Sequence, residues 1–240
     1  MNIEVLADPA VVAQKGASII ATEAQAAIAA RGTFVMAVSG GQIPWLRLRD
    51  LAAMEIPCQA VHIVQVDERV APEGQADRNL THFRESVLNH APLPPGQIHA
   101  MPLEATDLER AAADYAEALR NIAGDPPVLD LVHLGLGADG HTASLVPDDP
   151  GAVRGGRGCR LKWAISRLAP DDLDVTGSQS RQEESVGVDR KREGGDMPPF
   201  AAGYRSIPAG GIRRDRTLVL ADCAAAARSH SLIKGEVVCA

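Results

Sequence analysis

The sequence contains no apolar run that approaches the ~18 residues of a membrane-spanning helix. Its N-terminal segment also lacks the basic region followed by an apolar one that marks a secretory signal. We therefore expect a cytoplasmic protein with no membrane partner. The 240 residues, 45% of them hydrophobic, suffice for a single domain over residues 1–240 and exclude disorder as a description of the whole chain.

Cysteine is scarce and scattered. The four cysteines form no CxxC pair and have no histidine at zinc-finger spacing. This pattern indicates neither a disulfide framework nor a structural metal, so we expect four reduced thiols and no metal site.

Positive charge is in deficit: 24 basic residues against 31 acidic ones give a net charge of −7 and a pI near 5.5. Such a balance argues against a nucleic-acid partner and predicts a small soluble substrate. The deficit is confined to residues 1–150, with 9 Lys/Arg and 20 Asp/Glu, whereas residues 151–240 have 15 and 11. The basic residues of the second segment lack an aromatic platform, and we interpret them as solvated or disordered.

Helical and strand patterns alternate up to residue 150. The predicted strands are 33–38, 61–66, 97–101 and 128–134, and the predicted helices are 9–30, 44–53, 78–90 and 106–123. The last helix has Thr106 as its predicted cap, with Glu109 at capping-box spacing. This alternation predicts an α/β fold with a doubly wound, mainly parallel, Rossmann-like sheet and helices on both faces.

Polar loops follow three of these strands, at the sheet edge where doubly wound folds bind ligands. The first, Ser39-Gly40-Gly41, precedes a helix, so its backbone N–H groups and the helix dipole can hold a phosphate or carboxylate. A tight strand-to-helix turn that binds nothing is the alternative. The loop is neither a Walker A motif nor a GxGxxG fingerprint.

The second loop, Asp67-Glu68-Arg69, brings two carboxylates and a guanidinium to the same edge. Arginine pairs well with phosphate, and a carboxylate can hold a sugar hydroxyl. The alternative is a solvated charge cluster without a ligand.

The third loop contains a histidine in a glycine-rich turn. Asp139 lies two residues before His141, so that the carboxylate can orient and polarise the imidazole as in a general base. The alternative is a glycine-rich turn with an incidental histidine. Packing or edge exposure is expected of the other histidines that precede it, namely His62, His82, His90, His99 and His133.

Taken in order, the three loops resemble the 6-phosphogluconolactonase family, within the glucosamine-6-phosphate isomerase/deaminase-like fold. That family has an SGG-type phosphate loop, a DER motif, a following Asn and the segment LGxGxDGHTASLFP. Here the Asn is Asn79, preceded by Arg78 instead of the usual Ser, and residues 134–147 depart from the last motif only at Val146. The resemblance covers roughly residues 1–150.

The resemblance implies hydrolysis of 6-phospho-D-glucono-1,5-lactone to 6-phosphogluconate in the oxidative pentose phosphate pathway. His141 would activate water and Asp139 would orient His141, with no metal or organic cofactor. The only partner expected is the sugar-phosphate lactone, and we expect a monomer. The substrate-binding residues that the family implies are Ser39, Gly40, Gly41, Asp67, Glu68, Arg69, Asn79 and Gly140.

Two other functions remain open. Glucosamine-6-phosphate deaminases of the same fold share the motif up to DGH, but they typically continue with an Ile-Ala-Phe-Asn-Glu-Pro type of run. Residues 142–147 of this chain, TASLVP, have the lactonase form. The second alternative is an inactive remnant that binds sugar phosphates without turnover.

The family pattern breaks after Pro150. Residues 151–158 hold four glycines and two arginines, and residues 178–196 form a polar, charged tract. The family's Arg-x-Thr segment, Ala-Arg-Arg helix and Thr-Gly-x-x-Lys strand end are not legible there, whereas residues 206–212 and 218–222 again resemble the family. We interpret residues 151–196 as atypical, through a reading-frame disturbance or disorder.

A frame disturbance makes a prediction about the gene. Residues 188–195 can be encoded so that a shift of one nucleotide yields Trp-Thr-Gly-Lys-Glu-Lys-Ala, which contains the missing motif. Sequencing the gene across these codons is expected to show that encoding. Codons that cannot yield the motif in any frame would refute the hypothesis.

Overall fold

The computed structural model describes residues 2–69, 71–136, 141–143, 184–188 and 217–227. Seven strands form one sheet in the order β1-β7-β6-β5-β2-β3-β4, and every neighbouring pair is parallel. The strands are β1 (Asn2–Leu6), β2 (Phe34–Val38), β3 (Val61–Gln65), β4 (Ile98–His99), β5 (Leu131–Leu136), β6 (Glu184–Val188) and β7 (Thr217–Asp222). The helices are α1 (Pro9–Arg31), α2 (Gln42–Ala52), α3 (Asn79–Phe83), α4 (Leu108–Ala123) and α5 (Cys223–Ala227).

The doubly wound α/β fold is confirmed. Alternate side chains of β2 enter two separate hydrophobic clusters. Phe34 and Met36 pack with α1 and α2 on one face, while Val35 and Ala37 pack with α4 on the other. A strand buried on both faces has no polar side, which explains its continuous apolar sequence. Within the described ranges, no helix is both long and apolar enough to cross a bilayer.

Local signals define α1 at both ends. The Asp8 carboxylate accepts from the backbone N–H of Ala10 and Val11, at 2.8 and 2.9 Å, and Pro9 occupies the first turn, where its missing N–H costs nothing. Gly32 follows the helix with φ 80° and donates its N–H to the Ile28 carbonyl. The prediction of this helix is confirmed to within one residue.

The cap of α4 was wrongly predicted. Asp107, not Thr106, accepts from the N–H groups of Glu109 and Arg110, each at 3.1 Å, so the helix begins one residue later than the capping box required. Aspartate is at least as good a cap as threonine, and the sequence offers both side by side.

Three strands, β1, β6 and β7, had no counterpart among the predicted strands. β1 is only five residues long, and β6 lies in the polar tract in which we found no strand pattern. β6 pairs with β5 and β7 and thereby joins the two parts of the sheet. The remainder of the atypical 151–196 segment lies outside the described residues.

The expectation of four reduced thiols is wrong, because Cys223 is disulfide-bonded. Cys58 is free and buried. The spacing of the cysteines could not indicate this, because a disulfide depends on proximity in the fold rather than along the chain.

A buried carboxylate ties α1 to the sheet. Asp130, directly before β5, pairs with Arg31 at the end of α1 and accepts the Val35 N–H at 2.9 Å. Its side chain is 6% exposed. The carboxylate is therefore shielded from water although its partner is partly exposed, and it satisfies a backbone donor of β2 at the same time.

Replacement of this carboxylate is predicted to be costly. Asp130→Ala should lower the free energy of unfolding by about 3 kcal/mol, because it leaves a buried N–H and a cation without an acceptor. Urea denaturation measures this loss. The control is Asp114→Ala, which removes an exposed i,i+4 partner of Arg110 and should change the free energy by less than ~0.5 kcal/mol. Equal losses in the two variants would contradict the assigned role of Asp130.

Candidate active site

The carboxyl ends of β3, β2 and β5 lie side by side, because these strands are consecutive neighbours in a parallel sheet. Backbone hydrogen bonds continue beyond the strand ends. Ser39 donates to the His133 carbonyl at 3.0 Å, and Val66 donates to the Val38 carbonyl at 2.9 Å. The three polar loops predicted from sequence therefore leave the sheet at a common edge.

Glycine is required twice in the loop after β2. Gly41 caps α2 with φ 130° and ψ 164°, a conformation that residues with a side chain rarely adopt. A Cβ at Gly40 would lie 2.1 Å from the Asn79 Oδ1 atom. The loop after β2 and the start of α3 thus approach more closely than any other residue type permits.

Four of the predicted site residues meet here. The buried Ser39 hydroxyl donates to the Asp67 carboxylate at 3.4 Å, and the Asn79 amide donates to the Asp67 carbonyl at 3.1 Å. Gly40 lies against the Asn79 amide. The result is a junction of loop, strand end and helix start, with the N–H groups of the first turn of α2 beside it.

Glu68 points inward and organises this junction. Its Oε1 atom accepts from the backbone N–H of Arg69 at 2.8 Å and of Asn79 at 2.7 Å. Its Oε2 atom accepts from the Leu80 N–H at 2.8 Å and from the Gln65 side-chain amide at 2.9 Å. The side chain has no exposed area, so these internal donors support a role in holding the loop rather than in contacting a ligand.

The buried Arg78 side chain forms an ion pair with Glu68. Its side chain is 1% exposed, and its Nε atom lies 3.4 Å from Glu68 Oε2. Its Nη1 atom donates to the Ala71 carbonyl and to Glu104 Oε1, both at 2.7 Å. In the sequence, Arg78 is distinguished only as a departure from the family pattern. It lies ten residues after Glu68, so no local signal indicates that the two side chains pair.

Arg69 differs from Arg78 in being exposed. Its backbone N–H is bound to Glu68, which fixes the start of the side chain. Among the described residues, no carboxylate forms an ion pair with its guanidinium. A cation anchored in this way at the sheet edge is suited to binding an anionic ligand.

His141 follows β5 and is half-buried. The next residue, Thr142, is 1% exposed and donates its hydroxyl to the Gly135 carbonyl at 2.9 Å, which ties the loop back to β5. Ala143 then has φ 50°, a left-handed conformation that costs a residue with a Cβ about 1 kcal/mol. The predicted partners Asp139 and Gly140 lie outside the described residues.

The other histidines lie where packing explains them. His133 is fully buried, and this burial, followed by the nearby Arg47 charge, lowers its pKa well below the ordinary value. His62 and His99 lie side by side on β3 and β4, with Nδ1 and Nε2 3.0 Å apart, and burial lowers the pKa of both. Within the described part of the chain, no group of three His, Cys, Asp or Glu residues is arranged to hold a metal ion.

Comparison with known proteins identifies the family. Residues 7–165 match the family described as glucosamine-6-phosphate isomerases/6-phosphogluconolactonase. The chain belongs to this family. The resemblance seen in the three loops is thereby confirmed, together with the class of fold that it implied.

Two bacterial relatives are 6-phosphogluconolactonases. The 6-phosphogluconolactonase of Synechocystis sp. is 35% identical over 160 residues, which cover 65% of this chain and 67% of that protein. The 6-phosphogluconolactonase of Mycobacterium tuberculosis is 31% identical over 244 residues, which cover 96% and 99%. This family member therefore aligns with a lactonase over nearly its entire length.

Solved structures of the family share the fold. The 6-phosphogluconolactonase of Trypanosoma brucei superposes with a TM-score of 0.71 at 19% identity, covering 96% of this chain and 98% of that one. A monomeric glucosamine-6-phosphate deaminase superposes with a TM-score of 0.72 at 17% identity, covering 95% and 100%. Since both activities occur on the fold, the superposition alone does not distinguish between them.

The Arg78–Glu104 contact predicts a pH effect on stability. The hydrogen bond from Arg78 lowers the pKa of Glu104 below its ordinary value of 4.5. A carboxyl whose pKa is lowered by folding stabilises the protein above its unfolded pKa and loses that contribution as the pH falls through the folded pKa. The difference in unfolding free energy between wild type and Glu104→Gln should therefore be present at about pH 7 and shrink toward about pH 3.

Urea denaturation at the two pH values measures this difference. The matched control is Glu73→Gln, which disrupts the exposed Arg84–Glu73 pair and should change stability by less than ~0.5 kcal/mol at neutral pH. A Glu104→Gln effect that stays the same across this pH range would show that the contact does not depend on the ionised carboxylate.

Proposed function

We propose that this chain hydrolyses 6-phospho-D-glucono-1,5-lactone to 6-phospho-D-gluconate, the second step of the oxidative pentose phosphate pathway. The observation that carries the proposal is the junction of Ser39, Gly40, Asp67 and Asn79 beside the N-terminus of α2. The exposed Arg69 and the His141 loop lie at the same edge of the sheet. Relatives that share the family and a large part of the sequence are 6-phosphogluconolactonases by name.

The phosphate binds at the loop after β2. Backbone N–H groups at the start of α2 and the dipole of this 11-residue helix attract an anion. Arg69 adds an exposed cation from the neighbouring loop. Binding energy from the phosphate, remote from the reacting carbonyl, then positions the lactone for reaction.

His141 is the general base. It takes a proton from a water molecule as the water oxygen attacks the lactone carbonyl, forming a tetrahedral intermediate. When the ring C–O bond breaks, this proton passes from His141 to the departing ring oxygen, which becomes a hydroxyl. The new carboxylic acid then releases its remaining proton to solvent and becomes the carboxylate. Asp139 orients the imidazole, and the Thr142 anchor limits the movement of the loop. The reaction in this form uses no metal or organic cofactor.

The remaining assignments follow the family. Asp67, Asn79 and Gly140 contact the sugar, and Glu68 acts on the substrate indirectly by fixing Arg69 and Asn79. We propose that the protein works as a monomer in the cytoplasm, where sugar phosphates are metabolised. A protein of the same fold that is described as a monomeric glucosamine-6-phosphate deaminase supports the monomeric state.

Replacement of His141 is predicted to abolish most of the acceleration of lactone hydrolysis. His141→Ala should lower kcat/KM for the lactone at least ~100-fold, because general-base assistance contributes a factor of this order. The rate is measured against spontaneous lactone hydrolysis. The matched control is His90→Ala, which removes an exposed histidine far along the chain from the three loops and should retain wild-type activity.

The same assays separate the alternatives. Release of ammonia from glucosamine 6-phosphate would show that the protein is a deaminase rather than a lactonase. Binding of 6-phosphogluconate without any acceleration of hydrolysis would indicate an inactive sugar-phosphate-binding remnant. Equal rates for wild type and His141→Ala would refute the role of His141 while leaving the substrate class open.

A further inference from the structure

Arg47, in the second turn of α2, is a buried cation. Its exposed fraction is 0%, and its Nε, Nη1 and Nη2 atoms have no hydrogen-bond acceptor among the residues that the structure describes. No carboxylate of those residues forms an ion pair with it either. Burial lowers the pKa of Arg47 to about 10, so the guanidinium is still charged at neutral pH.

The position of the guanidinium is defined by its neighbours. It packs against α1 at Gly16, where a Cβ would lie 2.1 Å from Arg47 Nε. Its charge also acts on His133 of β5, whose two ring nitrogens are unpaired within the described residues. The His133 carbonyl accepts the N–H of Ser39. Arg47 therefore lies against α1 and near β5, in the second turn of the helix that the Ser39–Gly41 loop precedes, with a neutral imidazole close by.

A charge in this position is unfavourable for the free protein. A buried guanidinium that finds no anion among the described residues loses its hydration and gains no compensating ion pair from them. The protein interior is less polarisable than water, which makes the buried charge costly. For the same reason the electric field of this charge is screened less than that of a surface cation. The field at the Ser39–Gly41 loop is thus more positive than the helix dipole alone would make it.

We propose that Arg47 determines specificity for phosphorylated substrates by supplying the buried positive charge near the phosphate-binding loop. The inference rests on the proposed function, which locates the substrate phosphate at that loop. Arg47 makes no contact with the substrate. It acts through the electrostatic potential at the loop, which favours a dianionic phosphate over a neutral hydroxyl.

The test measures binding of 6-phosphogluconate, and of gluconate without the phosphate, by calorimetry. Arg47→Met should weaken 6-phosphogluconate binding about tenfold relative to wild type. Arg47→Lys retains a charge on a similar stem and should restore most of the affinity. The control is Arg49→Met, which removes an exposed cation from the same helix and should change the affinity less than ~2-fold, since solvent screens it.

Two further readouts distinguish an electrostatic role from a structural one. The ratio of kcat/KM for the phosphorylated lactone to that for glucono-1,5-lactone should fall about tenfold in Arg47→Met. The melting temperature of this variant without ligand should rise, because the uncompensated charge is gone. A merely structural residue would lower the melting temperature and leave the ratio unaltered.

The outcomes separate this proposal from the proposed function. If wild type binds 6-phosphogluconate and Arg47→Met binds it equally well, the electrostatic role of Arg47 is refuted and the phosphate loop stands. If wild type itself fails to bind 6-phosphogluconate, the phosphate loop is refuted, and the role of Arg47 with it.

Discussion

The buried carboxylate of Glu68 is the interaction on which the edge of the sheet depends. An ionised carboxylate without exposed area must find donors inside the protein, and Glu68 accepts from three backbone N–H groups and one side-chain amide. Those donors belong to β3, to the loop after it and to the start of α3. One acid therefore sets the mutual positions of the arginine, the asparagine and the helix that form the candidate site.

The first 150 residues carry a net negative charge, yet positive charge is concentrated around the candidate site. This segment has a surplus of acid, which disfavours the approach of a sugar phosphate. Its arginines are placed to offset the surplus locally. Arg31 and Arg78 neutralise buried carboxylates, while Arg69 and Arg47 supply positive charge near the loop after β2. The net charge of the chain thus says little about the potential at its site.

Much of the fold was predictable because its signals are local. Asp8, Pro9 and Gly32 mark the ends of α1 within a few residues of them, and continuous apolar runs mark the central strands. The positions of the polar loops followed from the rule that parallel strands end at one edge. What failed was the choice between two adjacent caps for α4 and the recognition of β1, β6 and β7. The residues of β6 become a strand through pairing with β5 and β7.

The meeting of Ser39, Gly40, Asp67 and Asn79 was predictable from the sequence, but the direction of the neighbouring side chains was not. The sequence of the DER motif does not reveal that Glu68 points inward while Arg69 points outward, since this depends on donors 11 and 12 residues away. The sequence does not reveal the burial of Arg47 either, because an arginine side chain on a helix is ordinarily exposed to solvent. Both facts arise from contacts between elements.

The close approach of Gly40 to Asn79 has a consequence for how this protein can change. Position 40 cannot accept any side chain while the amide of Asn79 occupies that space. Any side chain at position 40 must displace the Asn79 amide from its hydrogen bond to the Asp67 carbonyl. A library randomised at position 40 alone is therefore expected to favour glycine, and joint randomisation with position 79 should recover small side chains at 40 opposite a shorter residue at 79. The two positions, 39 residues apart in the chain, are expected to evolve as a pair.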